Sequence, residues 1–112
     1  LARMETTDLL LTIKDAALDI KALDLVTFDL EGKSSLTEFI IICHGTSTAH
    51  TKGIADNIGY SLKKKKQLPL GVEGAENGEW ILMDYNAVIV HIFLEESRER
   101  YQIEELFQQI DA

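Results

Sequence analysis

Residues 69–93, PLGVEGAENGEWILMDYNAVIVHIF, read as three short strands joined by two tight turns. Asn77-Gly78 is a strong hairpin signal, because both residue types tolerate positive φ. Tyr85-Asn86 lies between two apolar runs and reads as a second two-residue turn, with Asn accepting the left-handed conformation. A turn placed there sets Asp84 opposite Ala87, Leu82 opposite Ile89 and Trp80 opposite His91. In the first hairpin Glu73 meets Leu82 across a two-residue loop, or Trp80 across a four-residue one. Both loops are even, so Glu73 keeps one face in either case.

Parity divides this meander into two faces. One carries Leu70, Val72, Ile81, Met83, Val88, Val90 and Ile92 and is almost purely aliphatic, as a core requires. The other carries Glu73, Trp80, Leu82, Asp84, Ile89, His91 and Phe93. Large apolar groups mixed with carboxylates suit a partner-binding surface. The competing reading is that helices cover both faces and Trp80 is a large core residue. Pattern alone leaves both open.

The chain has 112 residues, enough for one domain with a modest core. Apolar residues make up 46% of it, which favours folding over disorder. A net charge of −8 argues against direct nucleic-acid binding as the main contact, since phosphates demand clustered Lys and Arg. Docking on a basic protein component of a ribonucleoprotein remains compatible with it. Cys43 is the single cysteine, so no internal disulfide forms, and a reducing cytoplasm is the expected location. No apolar run approaches the roughly 20 residues of a membrane span, and no secretory signal is evident. Leu1-Ala2-Arg3, ahead of Met4, reads as a cloning remnant or the end of a longer natural terminus.

Outward from the meander, Thr7 to Ala22 is expected to be helical, with Leu10, Ile13, Ala17 and Ile20 forming one apolar stripe and Thr6 or Thr7 capping the start. Asp24 to Leu30 alternates as a half-buried edge strand, Val26, Phe28 and Leu30 pointing one way. Glu38 to Cys43 contains FIIIC, a β-branched apolar run that belongs near the sheet centre. Thr46, Ser47 or Thr48 then caps a helix from about Ala49 to Lys65, with Ile54, Ile58 and Leu62 stacked along it. Gly53 and Gly59 each weaken that helix by about 1 kcal/mol relative to Ala, which suggests close packing on the sheet. The run Lys63 to Lys66 suits the negative end of the helix dipole. A final amphipathic helix carries Ile103, Leu106, Phe107 and Ile110, with an interruption expected at Gln102. The order α-β-β-α-β-β-β-α gives an α/β (α+β) domain: a five-stranded mixed sheet with packed helices. A helix between the second and third strands requires those strands to run parallel.

Chemical motifs are sparse. Gly45, Thr46 and Ser47 follow a buried strand and open a helix, so they are a candidate anion site. Neither a Walker loop nor a dinucleotide fingerprint is present, and capping is the preferred explanation. His44, His50 and His91 lie on three elements, without metal-ligand spacing. Glu73, Asp84 and His91 share a face but lack a nucleophile or metal partner, so binding outranks catalysis. No catalytic residue, metal ligand or cofactor is assigned.

Several segments together resemble the ribosomal silencing factor family, also called the iojap family. They are Lys21-Ala22-Leu23-Asp24, Ile42 through His50 (ICHGTSTAH), Ile54-Ala55-Asp56, Pro69 through Gly74 (PLGVEG), Trp80 with Asp84-Tyr85, Val88 through Phe93 (VIVHIF), and Arg98, Tyr101, Glu104 and Leu106. PLGVEG followed by the tryptophan strand is the specific part. Asn86 stands where the family usually has Gly, and Phe107 where it usually has Trp.

The resemblance implies one such domain over residues 4–112, with a nucleotidyltransferase-like fold lacking the catalytic motif. Around Asp84, positions 82 and 86 are Leu and Asn rather than metal-binding carboxylates. It also implies binding to the large ribosomal subunit through its fourteenth protein, a block on subunit joining, and slowed translation when nutrients are scarce. The partner-binding residues expected on that reading are Glu73, Trp80, Leu82, Asp84, Tyr85, Ile89 and His91. The alternatives are a remnant nucleotidyltransferase using Gly45, Thr46 and Ser47 for phosphate, and a module that forms a homodimer through the meander face.

Overall fold

The computed structural model describes residues 4–111; the reading of Leu1-Ala2-Arg3 lies outside them. The order is α1 (Thr6–Asp19), β1 (Leu23–Asp29), β2 (Phe39–Gly45), α2 (Thr48–Lys64), β3 (Gly71–Glu73), β4 (Trp80–Asp84), β5 (Val88–Leu94), α3 (Glu95–Tyr101) and α4 (Glu104–Asp111). The strands form one five-stranded sheet in the order β1-β2-β5-β4-β3. β2 pairs parallel with β5, and every other pairing is antiparallel. The expected mixed sheet is therefore present, with FIIIC on the interior strand β2 beside the central β5, and β1 and β3 at its edges. β3 runs parallel to β2 but is separated from it by two strands, so the connection through α2 crosses both β5 and β4.

The aliphatic face is the core. Ile41, Cys43, Ile81, Met83, Val88, Val90 and Ile92 pack against Leu9, Ile13 and Ala17 of α1 and Ile54, Ile58 and Leu62 of α2. Fully burying one such aliphatic side chain contributes about 1.5–3 kcal/mol. Cys43 behaves as the small apolar residue expected; burial pushes its thiol up to about 12, partly offset by Arg98. Leu70 and Val72 depart from the expectation. They lie at the β3 edge, beyond the reach of the helices, and are exposed.

The turns also differ from the sequence reading. In the second hairpin Asp84 pairs with Ile89, Leu82 with His91 and Trp80 with Phe93, two residues away from the expected partners. The turn residues are Asn86 and Ala87, closed by Tyr85 N–H donating to the Val88 carbonyl at 2.9 Å. Asn86 takes φ +69°, so its left-handed tolerance is used, at the first position of the turn rather than the second. A two-residue slip leaves both faces unchanged.

In the first hairpin Glu73 pairs with Leu82, but Asn77-Gly78 is not the tight turn. Residues 74–79 form a longer loop folded against α2, where the Gly78 carbonyl accepts from Thr51 Oγ1 at 2.6 Å. Gly74 is essential there: it sits at φ +79°, and a Cβ would come 1.9 Å from the Trp80 carbonyl oxygen.

Helix ends show smaller corrections. α1 starts after Glu5 without a side-chain cap, because Thr6 Oγ1 instead donates to Glu38 Oε2 at 2.9 Å. It stops before Ala22 because Lys21 turns left-handed at φ 61°. Ser47 caps α2 as expected, accepting from the His50 N–H at 3.1 Å. Gly53 and Gly59 make no unusually close approach, since a Cβ would meet Ile20 or Met83 at ordinary contact distance. Gln102, at φ 47°, separates α3 from α4.

Candidate functional site

The second face of the sheet is covered over only part of its width. Phe28, Leu30, Ile40, Ile42 and Phe93 form a smaller core, with Val26, Trp80, Ile89, Ile103, Phe107 and Ile110 packed against it. α4 therefore lies over the β1 side, with Phe28 and Phe107 at 6.1 Å between ring centroids. Leu106 was expected on its apolar stripe but is exposed. Helical cover thins toward β4 and β3. Its aromatic contacts end at Trp80, while Leu82 and Asp84 are partly buried and Glu73 is exposed.

Trp80 marks the boundary. Its indole lies 4.9 Å from the Phe93 ring and 5.0 Å from that of Tyr101, whose own ring is half-exposed. Its Nε1–H donates to His91 Nδ1 at 3.0 Å. His91 is buried, and desolvation lowers its pKa to about 4, so the ring is neutral at physiological pH. A neutral ring accepting at Nδ1 carries its proton on Nε2. His91 is thus an internal acceptor beneath the indole. Strand register puts Leu82 between Glu73 and His91, so the backbones of Glu73 and His91 are two strand spacings apart, about 10 Å.

Asp84 Oδ1 accepts from the Asn86 N–H at 2.8 Å, which fixes the turn and leaves the other oxygen available. Ile89 is half-buried beside it on β5. Tyr85 is not on this face. It is buried in the layer beneath α1, with a hydroxyl that has no hydrogen-bond partner among the described residues, and burial raises its pKa to about 12. The alternation that puts Leu82 and Asp84 on one side sends Tyr85 to the other.

The candidate anion turn is already satisfied from within. Thr46 N–H donates to His50 Nδ1 at 3.0 Å, the His50 ring donates from Nε2 to the Ile20 carbonyl at 2.6 Å, and Ser47 accepts the His50 N–H. Gly45 is buried, and a Cβ there would press on His50 and Thr51. His44 accepts at Nδ1 from Arg98 at 2.8 Å. Each of the three histidines is thus an acceptor in its own bond. Among the described residues no cluster of His, Cys, Asp or Glu is placed to hold a metal ion.

Sequence reasoning gave no structural role to Arg98. It bridges Glu104 at 2.6 Å, His44 and the Leu23 carbonyl, and so ties α3 to α4, β2 and β1. Its only advance signal was membership, with Tyr101 and Glu104, in the resemblance pattern.

Fold and face define a single α+β domain whose sheet is covered on one side except at the β3 edge and half covered on the other. Its structure matches a crystal structure of a Chromobacterium violaceum protein with a TM-score of 0.90 at 33% identity, covering 94% of this chain and 88% of that one. The family model described as "Ribosomal silencing factor during starvation" matches residues 3–112. The chain is 42% identical over 88 residues to the ribosomal silencing factor of Haemophilus influenzae, covering 79% of this chain and 86% of that protein. It is 34% identical over 106 residues to the Bacillus subtilis factor, covering 88% and 84%. The chain belongs to the ribosomal silencing factor family. Membership carries a ribosome-associated role. Among the described residues no helix is long and apolar enough to cross a membrane.

Proposed function

We propose that this chain binds the large ribosomal subunit through its fourteenth protein and blocks joining of the small subunit by occupying the space it needs. The carrying observation is the helix-free half of the second sheet face, where Leu82 and Asp84 stay partly accessible beside Trp80 on a strand hydrogen-bonded into the sheet. Trp80 supplies the aromatic anchor, Leu82 and Ile89 the apolar surround, and Glu73 and Asp84 the acceptors for basic side chains. The net charge of −8 favours a basic protein partner over rRNA. The role is steric and non-enzymatic, in the cytoplasm, and active when nutrients are scarce. Free copies pair through the same half-face until a ribosomal subunit competes for it.

Reassociation of purified subunits, followed by light scattering, tests this. Added protein lowers the amplitude in proportion to the large subunit it occupies. An amplitude unchanged at saturating protein contradicts the reading.

A further inference from the structure

The indole of Trp80 is held by contacts of two kinds. Phe93 and Tyr101 pack against it, at 4.9 and 5.0 Å between centroids, and ring packing of this sort is compatible with a range of separations and tilts. The hydrogen bond from Nε1–H to His91 Nδ1 is directional, and it is satisfied in one ring orientation only. His91 is itself fixed. It is buried on β5, paired with Leu82, stacked at 13° to Phe93 and flanked by Phe107. A buried imidazole contributes little contact area to a docking partner, yet it determines which edge of the indole turns inward.

We propose that His91 is a positioning residue for Trp80, holding the indole in the single orientation that the partner-binding half-face presents. This rests on the docking role assigned to Trp80 above and adds to it a division of labour: Trp80 touches the partner and His91 does not. Burial of His91 keeps the acceptor unprotonated at physiological pH.

Trp80 is the one tryptophan in the chain, so its indole N–H resonance and its fluorescence report on this side chain alone. The test compares the parent with His91→Asn, which keeps a side-chain acceptor near Nδ1, and His91→Leu, which has none. His91→Phe replaces the leucine variant if that one does not fold. In free protein the parent and His91→Asn are expected to show a solvent-protected indole N–H and high fluorescence anisotropy, both lost in His91→Leu. Affinity for purified large subunits should fall about three- to tenfold in His91→Leu, the equivalent of one hydrogen bond, and recover in His91→Asn.

The proposal is overturned if the parent's indole N–H exchanges freely. It is also overturned if folded His91→Leu binds as the parent does, or if His91→Asn loses as much affinity as His91→Leu. A parent that binds no large subunit removes the docking reading, while indole exchange in the free protein still decides whether His91 positions the ring.

Discussion

The two faces of the sheet are built from the same strands with alternate residues, yet they are finished differently. On one, two long helices seal an aliphatic layer in which Ile41, Ile81, Val88, Val90 and Ile92 are essentially inaccessible. On the other, α4 is short, has no fully buried residue, and stops short of β4 and β3. On the proposed function the difference separates stability from recognition: the sealed face holds the fold, and the half-sealed face leaves apolar and acidic groups for a partner.

Substitutions should follow that division. Ile92→Ala, on the sealed face, should lower unfolding free energy by about 2–5 kcal/mol, read by denaturant titration, through lost burial and the cavity it leaves. His91, on the other face, links stability to pH. Its native pKa is about 4 against an ordinary 6.5, because burial disfavours the charged ring. The unfolded chain therefore takes up a proton below about pH 6.5 that the native state refuses until about pH 4. Between those values stability should fall by an amount on the order of 3 kcal/mol. His91→Asn should flatten that part of the stability–pH curve relative to the parent; parallel curves would remove the assignment.

Phe107→Ala removes a half-buried ring of α4, and a loss of about 1–2 kcal/mol is expected in the same titration. Leu82→Ala, on the open half, should cost less than about 1 kcal/mol of stability yet speed dissociation from large subunits in surface-binding kinetics. Glu73→Lys should leave stability within about 0.5 kcal/mol of the parent. Its expected effect is slower association with weaker salt dependence, because exposed rim charges mainly steer encounter. A Glu73→Lys protein that associates faster would break the electrostatic half of the comparison.

Much of this division was legible in the sequence because it depends on parity. Placing the second turn at Tyr85-Asn86 missed the register by two residues, and Leu82 and Asp84 still fell on the correct face. Tyr85 was misplaced because it was grouped with its neighbour Asp84 through the resemblance, although alternation sends it inward. The six-residue loop at Gly74 was hidden because Asn77-Gly78 is an equally good local signal for a two-residue turn. What overrides that signal is the bond from Thr51 of α2, a contact between segments distant in sequence. Leu70 and Val72 obey the core parity but lie beyond the edge of the helical layer, which a one-dimensional pattern does not encode. The bonds of His91 to Trp80 and of Arg98 to His44 are tertiary for the same reason.

Cosedimentation of Leu82→Lys with purified large ribosomal subunits tests the role of the open half-face most directly. Leu82 belongs to neither core cluster, so the variant should fold, and its circular dichroism and melting profile should match those of the parent. A lysine in the apolar centre of the face, opposite a basic partner, should abolish cosedimentation under conditions where the parent pellets with the subunit. A folded Leu82→Lys protein that cosediments as fully as the parent would place the binding surface elsewhere.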